Sequence, residues 1–362
     1  MLASRDKISM RQAAILFIIA QSSSVIRIIP KYASETVGRA AWLSPLFSVL
    51  PFIGLVYIMQ LLFKKQRNAS MAELFIKVFG NIMGRMILAF YLIWFIILTG
   101  LYVRYSAERL LASILPNTSP SFFHITMLAA GFYAARGGIV NIARTVEFLF
   151  YLFIVVYVSL FIFSLPNIQK INLLPVTRFD FIPLTKTIKY LLGIWSSFSL
   201  VFFFGDKIND KEHIGRFGIQ TCILITITCM ILLIQTIGVH GHTVVERMPL
   251  PYFVSIKSIS LLETIERIES VAIAFWMFID FTVICYFLYM AVYVIKFLFS
   301  FSDVKYFASP VALFALIIAF YLGNNSLELE QFSQYIGASV GMAANLILPF
   351  VLFLVGKIRK IV

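Results

Sequence analysis

The stretch ILFIIAQSSSVIRIIP, residues 15–30, places a glutamine, three consecutive serines and an arginine inside an otherwise apolar run. Hydrocarbon penalises polar side chains, so those retained within a membrane helix usually have a function. A second apolar run, YLLGIWSSFSLVFFFGD at residues 190–206, is interrupted by serines in the same way. The first run leads to Pro30 and the second to Gly205, and both residue types disfavour a helix interior. These two matching interruptions are the main sequence evidence for the architecture.

The composition is that of an integral membrane protein. Of the 362 residues, 60% are hydrophobic and 13% are charged, and the mean hydropathy is +0.93. Soluble domains carry about 25% charged residues. A bilayer is crossed by about 20 apolar residues in a helix, and continuous apolar runs without strict alternation favour helices over a barrel. We predict ten transmembrane helices, at residues 10–29, 42–63, 81–103, 121–135, 146–165, 184–205, 215–239, 270–299, 307–322 and 335–356.

The two interrupted runs are the first and the sixth of these ten spans. Broken helices at corresponding places in two halves are typical of transporter folds built from inverted repeats, which bind their ligand at mid-membrane. We therefore predict an all-α, five-plus-five inverted repeat with helices 1 and 6 broken. It forms a single domain over residues 1–362, with repeat one at about 8–165 and repeat two at about 184–356. The alternative is that the serines only permit close helix packing.

The charge distribution predicts an orientation and limits the partners. More than half of the 30 Lys and Arg residues fall on the side of the membrane that holds both termini, so this side is predicted to be cytoplasmic. A net charge of +13 then suits contact with anionic lipid. Without a basic arm or zinc-finger spacing, no nucleic-acid partner is expected. The three cysteines lie within spans and form no CxxC motif, so we expect no disulfide, metal site or cofactor. No nucleophile-and-base arrangement indicates an enzyme.

One face of the eighth span carries two acidic residues and a tryptophan. Glu269, Ile273, Trp276 and Asp280 follow each other at spacings of three or four, which places them on one side of a helix. An acid inside a span should face the bundle interior or a water-filled cavity. Asp280 either lines such a cavity or hydrogen-bonds a neighbouring helix, and the sequence leaves both readings open.

A second set of polar residues lies in the third span. Tyr102, Tyr105 and Arg109 share a helix face, and Glu108 lies beside it. Aromatic residues near a membrane boundary are commonly interface anchors. Gating or ligand contact is the alternative for this face.

The run IERIESVAIAFW, residues 265–276, resembles the hallmark of the permease-like B subunit of spore germinant receptors. In that family, a Glu-Arg-aromatic/aliphatic-Glu motif begins the eighth span, and a Trp follows one heptad later. In this sequence the motif reads Glu266, Arg267, Ile268 and Glu269, followed by Trp276. Shorter matches in the same order cover nearly the whole chain, among them AWLSPL at 41–46, NTSPSF at 117–122, RGGIVNIAR at 136–144 and NLLPV at 172–176.

The resemblance implies a LeuT-like fold within the amino-acid/polyamine/organocation transporter superfamily. It also implies a place in the inner membrane of the spore, beside a membrane-bound A subunit and a C subunit that is a lipoprotein. The B subunit of such receptors binds a nutrient germinant, often an amino acid, and binding triggers germination. This chain departs from the family at 23–25, where Ser-Ser-Val stands in place of a frequent Gly-x-Gly step. Ser199 stands about where relatives often have a Glu, and losing that acid removes a partner for an ammonium group.

We predict a site for a small-molecule germinant between helices 1, 3, 6 and 8. The residues predicted to bind ligand are Gln21, Ser22, Ser23, Ser24, Tyr102, Trp195, Ser196, Ser197, Ser199, Trp276 and Asp280. Those predicted to have a structural or signalling role are Arg27, Glu108, Glu266, Arg267 and Glu269. Arg27 could hold a carboxylate or pair with an acid such as Glu108.

A second function is compatible with the same sequence. The chain could be a secondary active transporter that moves an amino acid together with a proton or a sodium ion. Asp280 and Glu147 are then the candidate coupling acids.

Overall fold

The computed structural model describes residues 7–113, 115–259, 268–301, 303–323 and 325–362, in which the chain is helical or irregular. Its α-helices are α1 (Met10–Val37), α2 (Ser44–Phe47), α3 (Val49–Lys64), α4 (Met71–Phe79), α5 (Asn81–Ser113), α6 (Pro120–Arg136), α7 (Ile139–Ser164), α8 (Phe181–Trp195), α9 (Ile214–His240), α10 (His242–Val245), α11 (Pro251–Lys257), α12 (Ile268–Phe299), α13 (Ala308–Tyr321), α14 (Ser326–Gln331), α15 (Ala338–Met342) and α16 (Leu348–Ile358). The 3₁₀ segments are Gly38–Leu43, Leu165–Asn167, Lys170–Asn172, Arg178–Asp180, Ser196–Lys207, Lys211–His213 and Lys305–Phe307. Two π-helical segments, Phe332–Gly337 and Ala343–Ile347, join α14, α15 and α16 into one long helical run.

Seven helical segments of the described chain are long and apolar enough to cross a bilayer, which makes this a multi-pass membrane protein. The first of them, Met10–Lys64, contains both α1 and α3. Helices α6 and α13 are shorter, at 17 and 14 residues. A helix overlies each of the ten predicted apolar runs, and the count of ten membrane crossings stays a prediction.

Helix α1 differs from the expectation of a break at the serines. It is α-helical from Met10 through the serine cluster and Pro30 to Val37. Its sequence contains no glycine, the residue that most readily leaves right-handed helical geometry. Ser22 also bonds within the helix, because its hydroxyl donates to the carbonyl oxygen of Ile18 at 2.8 Å. The predicted interruption of helix 1 is therefore a change of side-chain polarity, not of backbone conformation.

The interruption predicted in the sixth span is confirmed. Helix α8 ends at Trp195, and the chain continues as a tighter 3₁₀ helix over Ser196–Lys207. Phe204 leaves helical geometry altogether, with φ −98° and ψ 32°. Long 3₁₀ stretches are uncommon and often mark a hinge or a functional site. Every residue from Ser196 to Gly205 is buried, so this irregular backbone is enclosed by protein, as hydrocarbon requires.

The segment before α1 is fastened to the end of that 3₁₀ helix. Ile8 forms a parallel bridge with Ile208, and its N–H donates to the carbonyl oxygen of Lys207 at 2.8 Å. At the start of α1, Arg11 forms an ion pair with Glu147 of α7. The amide of Gln12 donates to the other oxygen of the same carboxylate at 2.7 Å. Helices α1 and α7 and the sixth span therefore meet at one end of the bundle.

Helices α1, α5 and α12 meet at the centre of the core. Helix α12 packs lengthwise against α5 and also contacts α1, α6 and α7. The 3₁₀ segment adds aromatic packing, since the Phe203 ring lies 4.5 Å from that of Tyr91 and 5.3 Å from that of Phe95, between centroids. Helices in lipid are held together by such close packing rather than by escape from water. Polar residues on the facing sides of α1, α5 and α12 are thereby brought together.

Gly84 is expected to be essential for the packing of α4 on α5. A Cβ at this position would lie 2.6 Å from Cα of Ile76 and 2.8 Å from the carbonyl oxygen of Phe75, both backbone atoms that cannot rotate away. Gly84→Ala should therefore lower stability by about 1–3 kcal/mol through overpacking. Thermal unfolding of the full chain in detergent measures the loss.

Gly54 provides the matched control for this prediction. It lies in α3 with no atom within 4 Å of an added Cβ. Gly54→Ala should raise stability by up to about 1 kcal/mol, because alanine favours a helix. Equal unfolding temperatures for the two variants would contradict the role given to Gly84.

Candidate ligand site

A buried ion pair lies at the centre of the bundle. Nη2 of Arg109, on α5, is 2.8 Å from Oδ2 of Asp280, on α12, and 3.1 Å from Oδ1. The side chains are 3% and 0% exposed, respectively. Moving charges out of water costs several kcal/mol for each ion, so a pair this deep is tolerated only with good geometry and further hydrogen bonds. Of the two readings left open for Asp280, the contact to a neighbouring helix is present in the structure.

The serines of α1 complete this cluster. Oγ of Ser23 donates to Oδ1 of Asp280 at 2.6 Å. The next residue, Ser24, shares a hydrogen bond of 2.5 Å with the hydroxyl of Tyr102 on α5. Ser22 instead bonds its own helix. Consecutive helical positions point about 100° apart, which explains why neighbouring serines have different partners.

Two arginine–aromatic contacts flank the ion pair. The guanidinium carbon of Arg109 lies 3.9 Å from the ring centre of Trp276, one turn before Asp280 on α12. The guanidinium carbon of Arg27 lies 3.1 Å from the ring centre of Tyr105. Both distances are within the range for cation–π attraction. Glu108 does not serve Arg27 here, because its carboxylate pairs with Arg104 at 3.3 Å.

Two small cavities lie beside this cluster, each of about 30 Å³. Gln21, Ser22 and Trp195 line the first, and Trp276 lines the second. Both are bounded by a shared wall that consists of Ile26, Phe153 and Tyr157. A water needs about 10–15 Å³ measured in this way, whereas ligand pockets span about 300–1,000 Å³. The bundle must open before it can enclose a ligand larger than a few waters.

The serines of the sixth span face a different neighbour. Asn345, in the last helical run, donates its side-chain amide to Oγ of Ser197 at 2.9 Å. Its backbone carbonyl accepts from Oγ of Ser199 at 2.7 Å. Ser196 bonds the carbonyl oxygen of Gly193 in its own helix. The contacts of these three serines are thus separate from those of Asp280, and they join the 3₁₀ segment to a π-helical turn.

Trp195 connects the first cavity to the second span. Its indole Nε1 donates to Oγ of Ser48 at 2.9 Å, and its side chain is 1% exposed. Of the residues predicted to bind ligand, Ser23, Ser24, Tyr102, Trp276 and Asp280 form the ion-pair cluster. Gln21, Ser22 and Trp195 line the first cavity. Glu266 and Arg267 lie outside the described residues, and of Glu269 only the place in α12 is described.

Arg109 and Asn345 are the two central residues that the predicted ligand site omits. The sequence does contain a sign of Arg109. It follows Tyr102 by seven residues and Tyr105 by four, so the three residues lie on one face of the helix. An arginine inside an apolar helix is costly, and that cost itself points to a buried partner. Nothing in the sequence near Asn345 indicates its pairing with the sixth span.

Ser23 and Ser22 are adjacent but should respond differently to mutation. Ser23→Ala removes a hydrogen bond from a buried carboxylate and should lower stability by about 1–3 kcal/mol. Ser22→Ala should change it by no more than about 0.5 kcal/mol, because only a bond to its own helix is lost. Thermal unfolding of the two variants in detergent compares them. Equal losses would show that the bond from Ser23 to Asp280 contributes nothing.

The fold belongs to the LeuT-like class of multi-pass membrane proteins. The described chain resembles the crystal structure of MhsT in complex with L-phenylalanine, with a TM-score of 0.70 over 97% of this chain and 89% of that one. The sequences are 14% identical, so the likeness establishes the architecture alone. The predicted LeuT-like, all-helical fold is confirmed.

Sequence comparison then gives the family. The family model for spore germination proteins, Spore_permease, matches residues 7–327, and the chain belongs to this family. Spore germination protein KB of Bacillus subtilis (strain 168) is 23% identical over 365 residues, covering 98% of this chain and 96% of that protein. Spore germination protein A2 of the same organism is 22% identical over 323 residues, covering 88% and 87%. The family is permease-like rather than a family of enzymes.

Proposed function

We propose that this chain is the ligand-binding B subunit of a nutrient germinant receptor in the spore inner membrane, and that its germinant is a small nutrient such as an amino acid. One observation, taken with the family, supports this most strongly. The chain encloses a charged and aromatic cluster, Arg109, Asp280, Ser23 and Trp276, where three helices meet. Charged groups inside a membrane bundle are costly and mark ligand or ion sites.

The small size of the two cavities suggests how binding becomes a signal. Ligand enters when α1 and α12 separate, and it then favours the arrangement of helices that it contacts best. The A subunit and the C lipoprotein respond to that shift. The 3₁₀ segment and its bonds to Asn345 are the natural moving part, because irregular backbone can change conformation with few broken bonds.

The proposal includes the remaining expectations from sequence. Both termini face the core of the spore, and residues 8–165 and 184–356 are the two inverted repeats of one domain. The germinant contacts residues from both the ion-pair cluster and the first cavity. Gln21 and Trp195 contribute from the cavity, and Ser197 and Ser199 act through the last helical run.

Germination of spores with and without this gene tests the proposal. Dipicolinate release is recorded across a panel of amino acids and sugars, and gene-dependent release on at least one compound is expected. Ser23→Leu should raise the dose needed by about tenfold or more while the protein remains in the membrane, because a bulky residue beside Asp280 obstructs the cluster. Arg104→Gln, at a partly buried ion pair on α5 outside the cluster, is the control and should leave the dose unchanged. A dose unaffected by Ser23→Leu would overturn the site.

A secondary active transporter of an amino acid is the alternative. The two acids proposed for ion coupling are both paired, Asp280 with Arg109 and Glu147 with Arg11. Uptake of the panel compounds into vesicles under a proton or sodium gradient separates the functions. Release without uptake supports a receptor, whereas uptake without a germination defect supports a transporter.

A further inference from the structure

We propose that Arg109 and Arg27 form a subsite for an anion, and that the germinant binds there through a carboxylate group. This inference rests on the proposed function and names the chemistry of its ligand. It assigns the main recognition to α5 and to the outer part of α1. The ligand is a small monocarboxylate with a short apolar side chain.

The first observation is a set of unsatisfied donors. Nε and Nη1 of Arg109 are buried and have no hydrogen-bond partner among the described residues. Nε1 of Trp276, on which the guanidinium stacks, is also buried without one there. A buried donor without a partner costs about 1–3 kcal/mol, and more when it is charged. An anion with two oxygens satisfies such donors, and guanidinium groups bind carboxylates in this way.

The second observation is the balance of charge. Within the described residues, the cluster contains two guanidinium groups and one carboxylate, that of Asp280. Arg27 is close enough to interact with both members of the ion pair. No described acid lies within ion-pair distance of Arg27, whose guanidinium rests on the ring of Tyr105. Counted over the described residues, the cluster therefore holds one more positive than negative charge, and a bound carboxylate neutralises it.

The third observation is the neighbouring cavity. The second cavity is lined by Trp276, on which Arg109 stacks. It is also lined by Ile26, the residue that precedes Arg27 in α1. Most of the rest of its wall is apolar, with residues such as Phe153, Leu160 and Ile279, and Tyr157 and Tyr252 complete it. An apolar wall beside a positive subsite fits a carboxylate whose other end is a hydrocarbon side chain. Asp280 is already ion-paired with Arg109, so among the described residues of this cluster no carboxylate lacks a cationic partner, although Oδ2 of Asp280 accepts no hydrogen bond there.

A matched ligand series tests the inference on the full-length chain in lipid nanodiscs. L-valine, L-2-hydroxyisovalerate and L-valinamide share one side chain and differ in the carboxylate or the amino group. Ligand-dependent rises in unfolding temperature give the dissociation constants. The acid and the hydroxy acid should bind within about tenfold of each other and at least about tenfold more tightly than the amide. Equal binding of the amide, or no rise with any of the three at 100 mM, overturns the inference.

Variants then test whether the arginine is responsible. Arg109→Gln alone leaves Asp280 unpaired and can prevent folding, so the double variant Arg109→Gln/Asp280→Asn is used, which keeps a neutral hydrogen-bonding pair. Because Arg27 also belongs to the subsite, Arg27→Gln is added, and the resulting triple variant should unfold cooperatively and bind the three compounds alike. Arg104→Gln/Glu108→Gln, an ion pair on the same helix, should retain the preference for the carboxylates. A triple variant at Arg27, Arg109 and Asp280 that still prefers the carboxylates refutes the subsite.

The two proposals can fail separately. Gene-dependent germination on a neutral sugar, without carboxylate binding, supports the receptor function and overturns the anion subsite. Carboxylate binding that depends on Arg109, without any germination defect in spores lacking the gene, supports the subsite and overturns the receptor function.

Discussion

Asp280→Ala is expected to destabilise the protein by about 3–5 kcal/mol, the range found when one member of a buried ion pair is removed. The substitution leaves the guanidinium of Arg109 charged and buried, and Ser23 loses its acceptor. Unfolding of the full chain in detergent, by heat or by increasing SDS, measures the loss. Expression in the membrane should fall as well, because a loss of this size is a large part of the stability of a domain.

The control for Asp280 is a surface pair on one of the same helices. Glu108→Ala breaks a contact with Arg104 in which both side chains are partly exposed, at 17% for Arg104 and 25% for Glu108. It should cost less than about 1 kcal/mol. Arg109→Gln/Asp280→Asn should recover part of the loss caused by Asp280→Ala, because no unpaired charge remains. If the double variant is as unstable as the single one, the charge of Arg109 is not the cause.

Trp195→Ala is the second substitution with a large expected effect, at about 3–5 kcal/mol. Trp195 is among the largest fully buried side chains, and it lies where α8 gives way to the 3₁₀ helix. Its removal merges new empty space with the first cavity and leaves Ser48 without its donor. Thermal unfolding measures the loss of stability.

Trp195→Phe separates volume from hydrogen bonding. Phenylalanine fills much of the same space but has no N–H for Ser48, so a cost of about 1–2 kcal/mol is expected. Equal losses in the Ala and Phe variants would show that the bond to Ser48, not the filled space, holds this junction together. The germination dose should change more for Ala than for Phe, since Trp195 lines the first cavity.

Periodicity along single helices predicted the contents of the ion-pair cluster well. Trp276 and Asp280 were placed on one face of the eighth span because four residues make about one turn, and both belong to the cluster. The same reasoning put Tyr102 on the face of Arg109. It could not show that these two faces meet, because helix pairing depends on the path of the whole chain. Arg109 was therefore left out of the predicted ligand site, and its face was left open between a boundary anchor and a gating or ligand contact.

Two further expectations depended on properties that a sequence pattern does not contain. Serines in a membrane span can interrupt the backbone or serve an intact helix, and polarity alone does not distinguish these outcomes. In α1 they serve an intact helix, since Ser23 and Ser24 bond to other helices and Ser22 to its own. Ser197 and Ser199 were expected beside the ligand. In the described structure they hydrogen-bond to Asn345, and their place beside a ligand stays a prediction.

The bridge between Ile8 and Ile208 constrains how the protein is made. The two residues are 200 positions apart, and ribosomes add roughly 5–20 residues per second. The beginning of the chain therefore waits roughly 10–40 seconds for its partner to be synthesised. Throughout that interval Ser23 of α1 lacks its partner Asp280, whereas Tyr102 and Tyr105 of α5, which contact Ser24 and Arg27, are synthesised within it. Insertion machinery or early contact with α5 must shelter the first helix until the second half of the chain arrives.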